Sequence, residues 1–285
     1  MKRRFLVLSL AALLAAPVGL LAQTRRALVI GVGQQLDPSW PKVHADRDVP
    51  LIVGMLRANG YADIATLVNR QATKAAIVAA FRSLAQRARR GDVVLVHFSG
   101  HGQRMTDTDG DEPDGWDESW IPYDAFLSYG PHDRGEKHLC DDETARLLTA
   151  LRQRIGPKGV LAVTVDACHS GDSTRGDDSV SVRGVLREFV IPGKHGRGAR
   201  QLPELWQTLS ACKSYQLNQE TPQGYGRLSA ALSSMWKSMV GQSDQRVLEV
   251  ISGFMQRRDI RGPLPQTPEL TGSNGKHPFS SIFRR

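Results

Sequence analysis

Two side chains able to do nucleophilic chemistry stand just past two apolar runs. Residues 92–98 lead into Ser99, Gly100, His101 and Gly102, and residues 159–165 lead into Asp166, Ala167, Cys168, His169, Ser170 and Gly171. An imidazole within reach of a thiol takes up its proton and later returns it to a leaving amine, which is the chemistry of a cysteine hydrolase. The glycines allow a substrate backbone to approach. Main-chain N–H groups at Gly102 and Cys168 are the candidates to hold an oxyanion. A lone Cys or His at a strand end is ordinarily structural; the two together, each in a Gly-bearing turn, point to catalysis. His169, adjacent to the thiol, is the weaker rival for the base because neighbours on a turn point apart.

Positioning two such turns requires two strands that end side by side. The runs are short, β-branched and apolar, as in central strands of a parallel sheet covered on both faces, where chemistry sits beyond the carboxyl ends. The rest of the chain supplies the alternation. Residues 26–32 and 65–68 read as strands, 43–59 as a helix closed by Gly60, and a helix capped by Thr73 ends in Arg87, Arg89 and Arg90. After a long polar loop come a helix over 141–154, a strand over 206–212 and a helix over 228–240. Residues 171–200 read as an exposed loop and the tail from Gly262 as irregular. The expectation is an α/β fold with a mostly parallel central sheet flanked by helices.

Composition narrows the class. The chain has 285 residues and a formal charge of +8, enough for one sizeable domain. Lys2, Arg3 and Arg4 precede an apolar stretch that closes on small residues, so residues 1–22 read as a secretory signal peptide. Its removal takes the charge from +8 to +5, and the basic residues lack interleaved aromatics. Nucleic acid is not an expected partner, and no later segment is apolar enough to span a bilayer. The expected location is periplasmic or secreted. Three cysteines, Cys140, Cys168 and Cys212, leave at least one thiol unpaired; Cys168 is the candidate, and pairing of Cys140 with Cys212 stays open.

The segments HFSGHG (97–102) and DACHSG (166–171) resemble the two signature segments of metacaspases, the caspase-like cysteine peptidases of family C14. The resemblance runs from residue 26 to about 235. It takes in the opening strand, the segment 45–49, the acidic stretch 107–124, the start of the helix at 141, and 209–212 with Glu220. It implies the caspase-hemoglobinase fold, a peptidase domain over 23–260 with an irregular tail over 261–285, and no organic cofactor. His101 and Cys168 become the catalytic dyad. Asp48, Ser99 and Asp166 match positions that line the family's pocket for a basic residue, so protein or peptide substrates with Arg or Lys before the cut bond are expected. A buried guanidinium requires such anions. Arg47 and Ala45 depart from the family's usual Asn and Cys.

Residues 107–118 carry seven carboxylates, a set that a hard cation with oxygen ligands would neutralise. Glu112 stands where an EF-hand loop requires Gly. Many metacaspases are calcium-activated, and the resemblance makes Asp117, Asp141 and Asp142 the ligand candidates, with Asp114 beside them. Zinc is not expected, since no Cys/His set has ligand spacing. Arg175, Arg183, Arg187, Lys194, Arg197 and Arg200 in the loop after the nucleophile are candidate self-cleavage sites. Two alternatives stay open: a catalytically silent caspase-like scaffold, and a peptidase of the same fold with another specificity, such as Asn.

Overall fold

The computed structural model describes residues 23–168, 181–193 and 203–284. The expected signal peptide, His169, Arg175, Lys194, Arg197 and Arg200 lie outside the described residues. Among the described residues a six-stranded sheet has the order β2-β1-β3-β7-β8-β9. Its members are β1 (Arg25–Gly31), β2 (Asp63–Val68), β3 (Val93–Ser99), β7 (Val160–Asp166), β8 (Gln207–Ser210) and β9 (Glu269–Gly272). The first five are parallel and β9 runs antiparallel to β8.

The strands alternate their side chains between two cores, as a period of two requires. Ala27, Val29, Val93, Leu95, Val160 and Ala162 face α1 (Asp48–Ala58), α4 (Arg227–Met239) and α5 (Asp244–Met255). Leu28, Ile30, Val94, Val96, Phe98, Leu161 and Val163 face α2 (Lys74–Arg87) and α3 (Asp141–Ile155). Every residue of β3 and β7 is buried, which is why both read as unbroken apolar runs.

Three expectations need correction. The helix expected over 43–59 begins as a 3-10 turn over Ala45–Arg47, and α1 starts only at Asp48. Pro50 has no N–H to donate and fits only in a first turn. The long polar loop holds a second, antiparallel sheet of β4 (Gly102–Thr106), β5 (Trp116–Trp120) and β6 (Leu139–Cys140). Its alternation was hidden because buried Gln103 and Ser119 are polar and pair with each other's strand through the Ser119 hydroxyl and the Gln103 carbonyl.

The tail is not irregular: it supplies β9 and a 3-10 turn over Phe279–Ile282 that buries Phe279, Ile282 and Phe283 in the first core. Asn274 marks how closely it is built in. Its Oδ1 accepts from Leu161 N at 3.0 Å and from Arg152 Nη2, and its Nδ2 donates to Gln207 Oε1. Leu161 N has no partner in β8, which starts to pair only at Ala162.

Asn274→Ala strands those buried donors, and the expected loss in urea unfolding is about 2–3 kcal/mol with an unchanged slope. A loss below about 0.5 kcal/mol would contradict the tail's place in the domain.

Candidate active site

The carboxyl ends of β1, β3 and β7 lie level, with Gly31 opposite Ser99 and Ser99 opposite Asp166. α1 begins where β1 has ended and brings Asp48 to the same level. Ser99 Oγ donates to Asp48 Oδ2 at 2.6 Å. The three residues expected to bind a basic side chain are thus one buried cluster, each with no exposed surface.

The cluster is occupied by the chain itself. Arg183, expected on an exposed loop, is fully buried there. Its Nη1 donates to Asp48 Oδ2 at 2.5 Å and to Ser99 Oγ at 2.6 Å, and lies 3.6 Å from Asp166 Oδ1. Its Nε and Nη2 donate to Glu220 Oε1 at 3.1 and 3.0 Å. Burial alone would make this guanidinium easier to deprotonate; Asp48, Asp166 and Glu220 together hold it charged. Three carboxylates surround one fork-shaped cation. Arg187, the other expected self-cleavage residue within the described region, is exposed.

Each carboxylate has further support. Asp166 accepts from Asn218 Nδ2 at 2.8 Å and from Ser229 N and Oγ at 2.8 and 2.6 Å. Although burial opposes ionisation, Arg183 and these donors keep its carboxyl below the usual range. Ser229 lies in the first turn of α4, where backbone N–H groups favour an anion. Asp48 Oδ1 accepts from Gly226 N, and burial with the Asp166 charge pushes its carboxyl up against the pull of Arg183. A Cβ on Gly226 would run into Asp166 Oδ2 and Arg183 Nη1. Glu220 is held by His44 through its backbone N at 2.7 Å and its Nδ1 at 2.8 Å.

The backbone around Arg183 lies as a bound peptide would. Arg183 N donates to Asn218 O at 2.8 Å and Glu220 N to Ser181 O at 3.0 Å, an antiparallel pairing. Arg183 O accepts from Cys168 N at 2.8 Å, the place of an oxyanion. Gly102, the second expected oxyanion donor, opens β4 beside His101 and makes no recorded hydrogen bond to that oxygen among the described residues. A Cβ on Gly184 would meet Cys168 O at 2.7 Å and Cys168 Cβ at 2.9 Å. The Arg183–Gly184 peptide therefore lies directly against the nucleophile.

His101 is fully buried, stacks on Trp40 at 5.2 Å and shares 2.8 Å with Pro41 O through Nε2. A carbonyl only accepts, so Nε2 carries the proton and Nδ1 offers the lone pair of a base. Among the described residues Nδ1 has no hydrogen-bond partner. Burial, more than any charge nearby, lowers the His101 pKa to about 4, so the ring is neutral at physiological pH. The Cys168 thiol donates to Gln216 O at 3.0 Å. Cys212 shares that oxygen at 3.4 Å and contacts Cys168, and among the described residues no disulfide joins the cysteines.

Sequence reasoning missed Glu220 as a pocket residue, the supports Asn218 and Ser229, and the Pro41 carbonyl. Glu220 sat in a segment that already resembled the family, but its pairing with Arg183 spans 37 residues. A backbone carbonyl leaves no signal.

The metal candidates form overlapping groups. Asp117 joins Asp141 and Cys140, and also Asp107 and Asp111, whereas Asp142 joins Asp109 and Asp111. Buried Oδ1 atoms of Asp109, Asp111 and Asp117 have no hydrogen-bond partner among the described residues. Burial, with Asp141 and Asp107 nearby, pushes the Asp117 pKa up to about 8; burial with Glu118 pushes Asp141 to about 7; burial with Asp109 pushes Asp142 to about 6. Unpaired carboxylate oxygens in this number fit a hard cation. Burial holds the Cys140 thiol up at about 11, and its soft sulfur is a poor match for a hard cation that prefers oxygen ligands. A groove joins Asp111, Asp141 and Asp142 to Trp120, Ala167 and Cys212 at the site.

The sheet has known counterparts. A structural-genomics protein from Geobacter sulfurreducens superposes with a TM-score of 0.64 at 22% identity, over 92% of this chain and 97% of its own. Caspase-1 from Spodoptera frugiperda gives 0.57 at 10% identity, over 88% and 89%; both likenesses concern the fold. Metacaspase-1 of Coccidioides immitis is 38% identical over 129 residues, 45% of this chain and 25% of that protein. Metacaspase-1 of Botryotinia fuckeliana is 37% identical over 128 residues, 45% of this chain and 28% of that protein. The chain thus matches about a quarter of the length of these relatives. The model of the metacaspase peptidase C14 domain matches residues 25–175, more than half of the sequence. With Cys168 and His101 at its strand ends, the chain belongs to the metacaspase family of caspase-like cysteine peptidases.

Proposed function

We propose that the chain is an exported cysteine endopeptidase that cuts after arginine or lysine, organised by calcium, and that its own Arg183–Gly184 bond is its first substrate. One observation carries this reading: Arg183 fills the three-carboxylate pocket while its carbonyl oxygen rests on Cys168 N. A pocket for neutral asparagine would leave those buried anions without a cation, at a cost of several kcal/mol. A mere scaffold has no need of a neutral buried imidazole just past one strand and a thiol just past the strand paired with it.

The chemistry follows from the atoms. The thiol turns from Gln216 O and gives its proton to His101 Nδ1. The sulfur attacks the Arg183 carbonyl carbon, and the negative charge that forms on its oxygen is held by Cys168 N. The C–N bond breaks as His101 returns the proton to the Gly184 nitrogen. Water then attacks the thioester with His101 as base, freeing the Arg183 carboxylate. Lysine fits the pocket as a point charge at Asp48 and Asp166. Calcium, when bound, neutralises carboxylates that otherwise repel one another and fixes the acidic loop; Asp117, Asp141, Asp142, Asp109 and Asp111 are the residues to hold it. Export rests on the basic and apolar start of the sequence, which leads to the periplasm or the medium.

Peptides ending in Arg, Lys, Asn or Asp before a reporter amide test the specificity, with calcium and with chelator. Arg and Lys turnover is expected, lost in Cys168→Ala and reduced about a hundredfold or more in Asp166→Asn. Asp117→Asn should remove the calcium response. Equal turnover of Asn peptides, or activity surviving Cys168→Ala, contradicts the reading. The neutral His101 sets the pH dependence of the first turnover. A base with a pKa of about 4 keeps its lone pair between pH 7 and 5, so the self-cleavage rate at saturating calcium should not fall across that interval. A tenfold fall centred near the ordinary histidine value of about 6.5 would show a solvated imidazole instead.

A further inference from the structure

The chain beyond Gly184 points to a second recognition element, on the leaving-group side of the cut bond. Val185, two residues after Arg183, packs on a small apolar cluster of Trp40, Ile121, Ala125 and Leu127. This cluster is separate from both cores of the sheet. We propose that it is a substrate subsite for an aliphatic side chain at the second position after the cleaved bond. The proposal rests on the reading of Arg183–Gly184 as a bound substrate, and deepens it from a preference for one basic residue to a pattern: Arg, a glycine, then an aliphatic residue.

The walls of the subsite are fixed before any substrate arrives. The Trp40 indole donates through Nε1 to Ala125 O at 3.0 Å and stacks on His101 with 28° between the rings. Leu127 N donates to Asp37 Oδ2 at 2.9 Å, which locks the loop that carries it. Trp40 and Pro41 are neighbours, so one segment both shapes this pocket and orients the base through Pro41 O. Trp40 therefore belongs both to this apolar cluster and to the stack on the His101 imidazole.

The peptide is held on both sides of Val185. Arg183 anchors it upstream. Downstream, Arg187 O accepts from Gln103 Nε2 at 2.7 Å, and Phe189 pairs with β4 through Phe189 N to Arg104 O and Thr106 N to Phe189 O. Gly184 lies between, where a Cβ would strike Cys168. With the backbone tied at both ends, the side chain at 185 has one place to go. A charged side chain there would lose water to a surface of Trp, Ile, Ala and Leu that offers no partner. This contact is made while the peptide bond is intact, so its energy is available to the acylation step.

Octapeptides with Arg and Gly fixed across the cut bond, and Val, Gly or Asp at the second position after it, test the subsite on the full-length protein with calcium. A reporter amide of Arg with no residues beyond the bond is run beside them. Val peptides are expected to exceed Gly and Asp peptides in kcat/KM by about tenfold or more, the effect of burying most of one aliphatic side chain. Leu127→Ala should shrink the Val-to-Gly ratio, a quantity that a smaller folded fraction does not change. In cis, Val185→Asp should slow self-cleavage and Val185→Ile should keep it. Equal turnover of the three peptides by an enzyme that cleaves the Arg amide overturns the subsite alone. Failure to cleave the amide or any peptide overturns the Arg reading and the subsite together.

Discussion

Three carboxylates cannot share a dry pocket without a cation, and that constraint organises the site. Asp48, Asp166 and Glu220 come from the start of α1, the end of β7 and the loop before α4, and Arg183 is the charge that lets them lie together. Removing one partner of such a cluster leaves uncompensated buried charge, at about 3–5 kcal/mol. The closed pocket therefore requires a basic group, here Arg183. On the proposed reading, substrate recognition and the folding of this corner are one interaction.

The same geometry keeps the nucleophile idle until it is used. The cation fixes the Arg183 carbonyl on Cys168 N, but the thiol is held by Gln216 O and the base has an empty Nδ1. Binding is complete and the proton path is not. The acidic loop lies along the groove that leads to this point, and its raised carboxyl pKa values mark a repulsion that is relieved by protons or by a cation.

How much was legible follows from where the information sits. The ends of β3 and β7 could be read because both strands are buried on two faces and finish in residues with little structural reason to be there. His101 and Cys168 followed, and Asp48, Ser99 and Asp166 came from resemblance. The second sheet could not be read, because Gln103 and Ser119 satisfy each other across strands that look polar in one dimension. Arg183 was hidden for a related reason. Five of the six residues from Gly176 to Ser181 are small or charged, the signature of a solvated loop, and its burial depends on anions at 48, 166 and 220 that only the fold brings together. The tail was misread because β9 and Phe279 gain their value from β8 and α5, not from local periodicity.

The most direct test is to identify the new chain ends after the purified full-length protein is incubated with calcium. The account predicts one early cut, with a fragment ending in Arg183 and another beginning at Gly184, and neither fragment from Cys168→Ala. Fragments cut elsewhere while Arg183–Gly184 stays intact, or the same cut in Cys168→Ala, would contradict it.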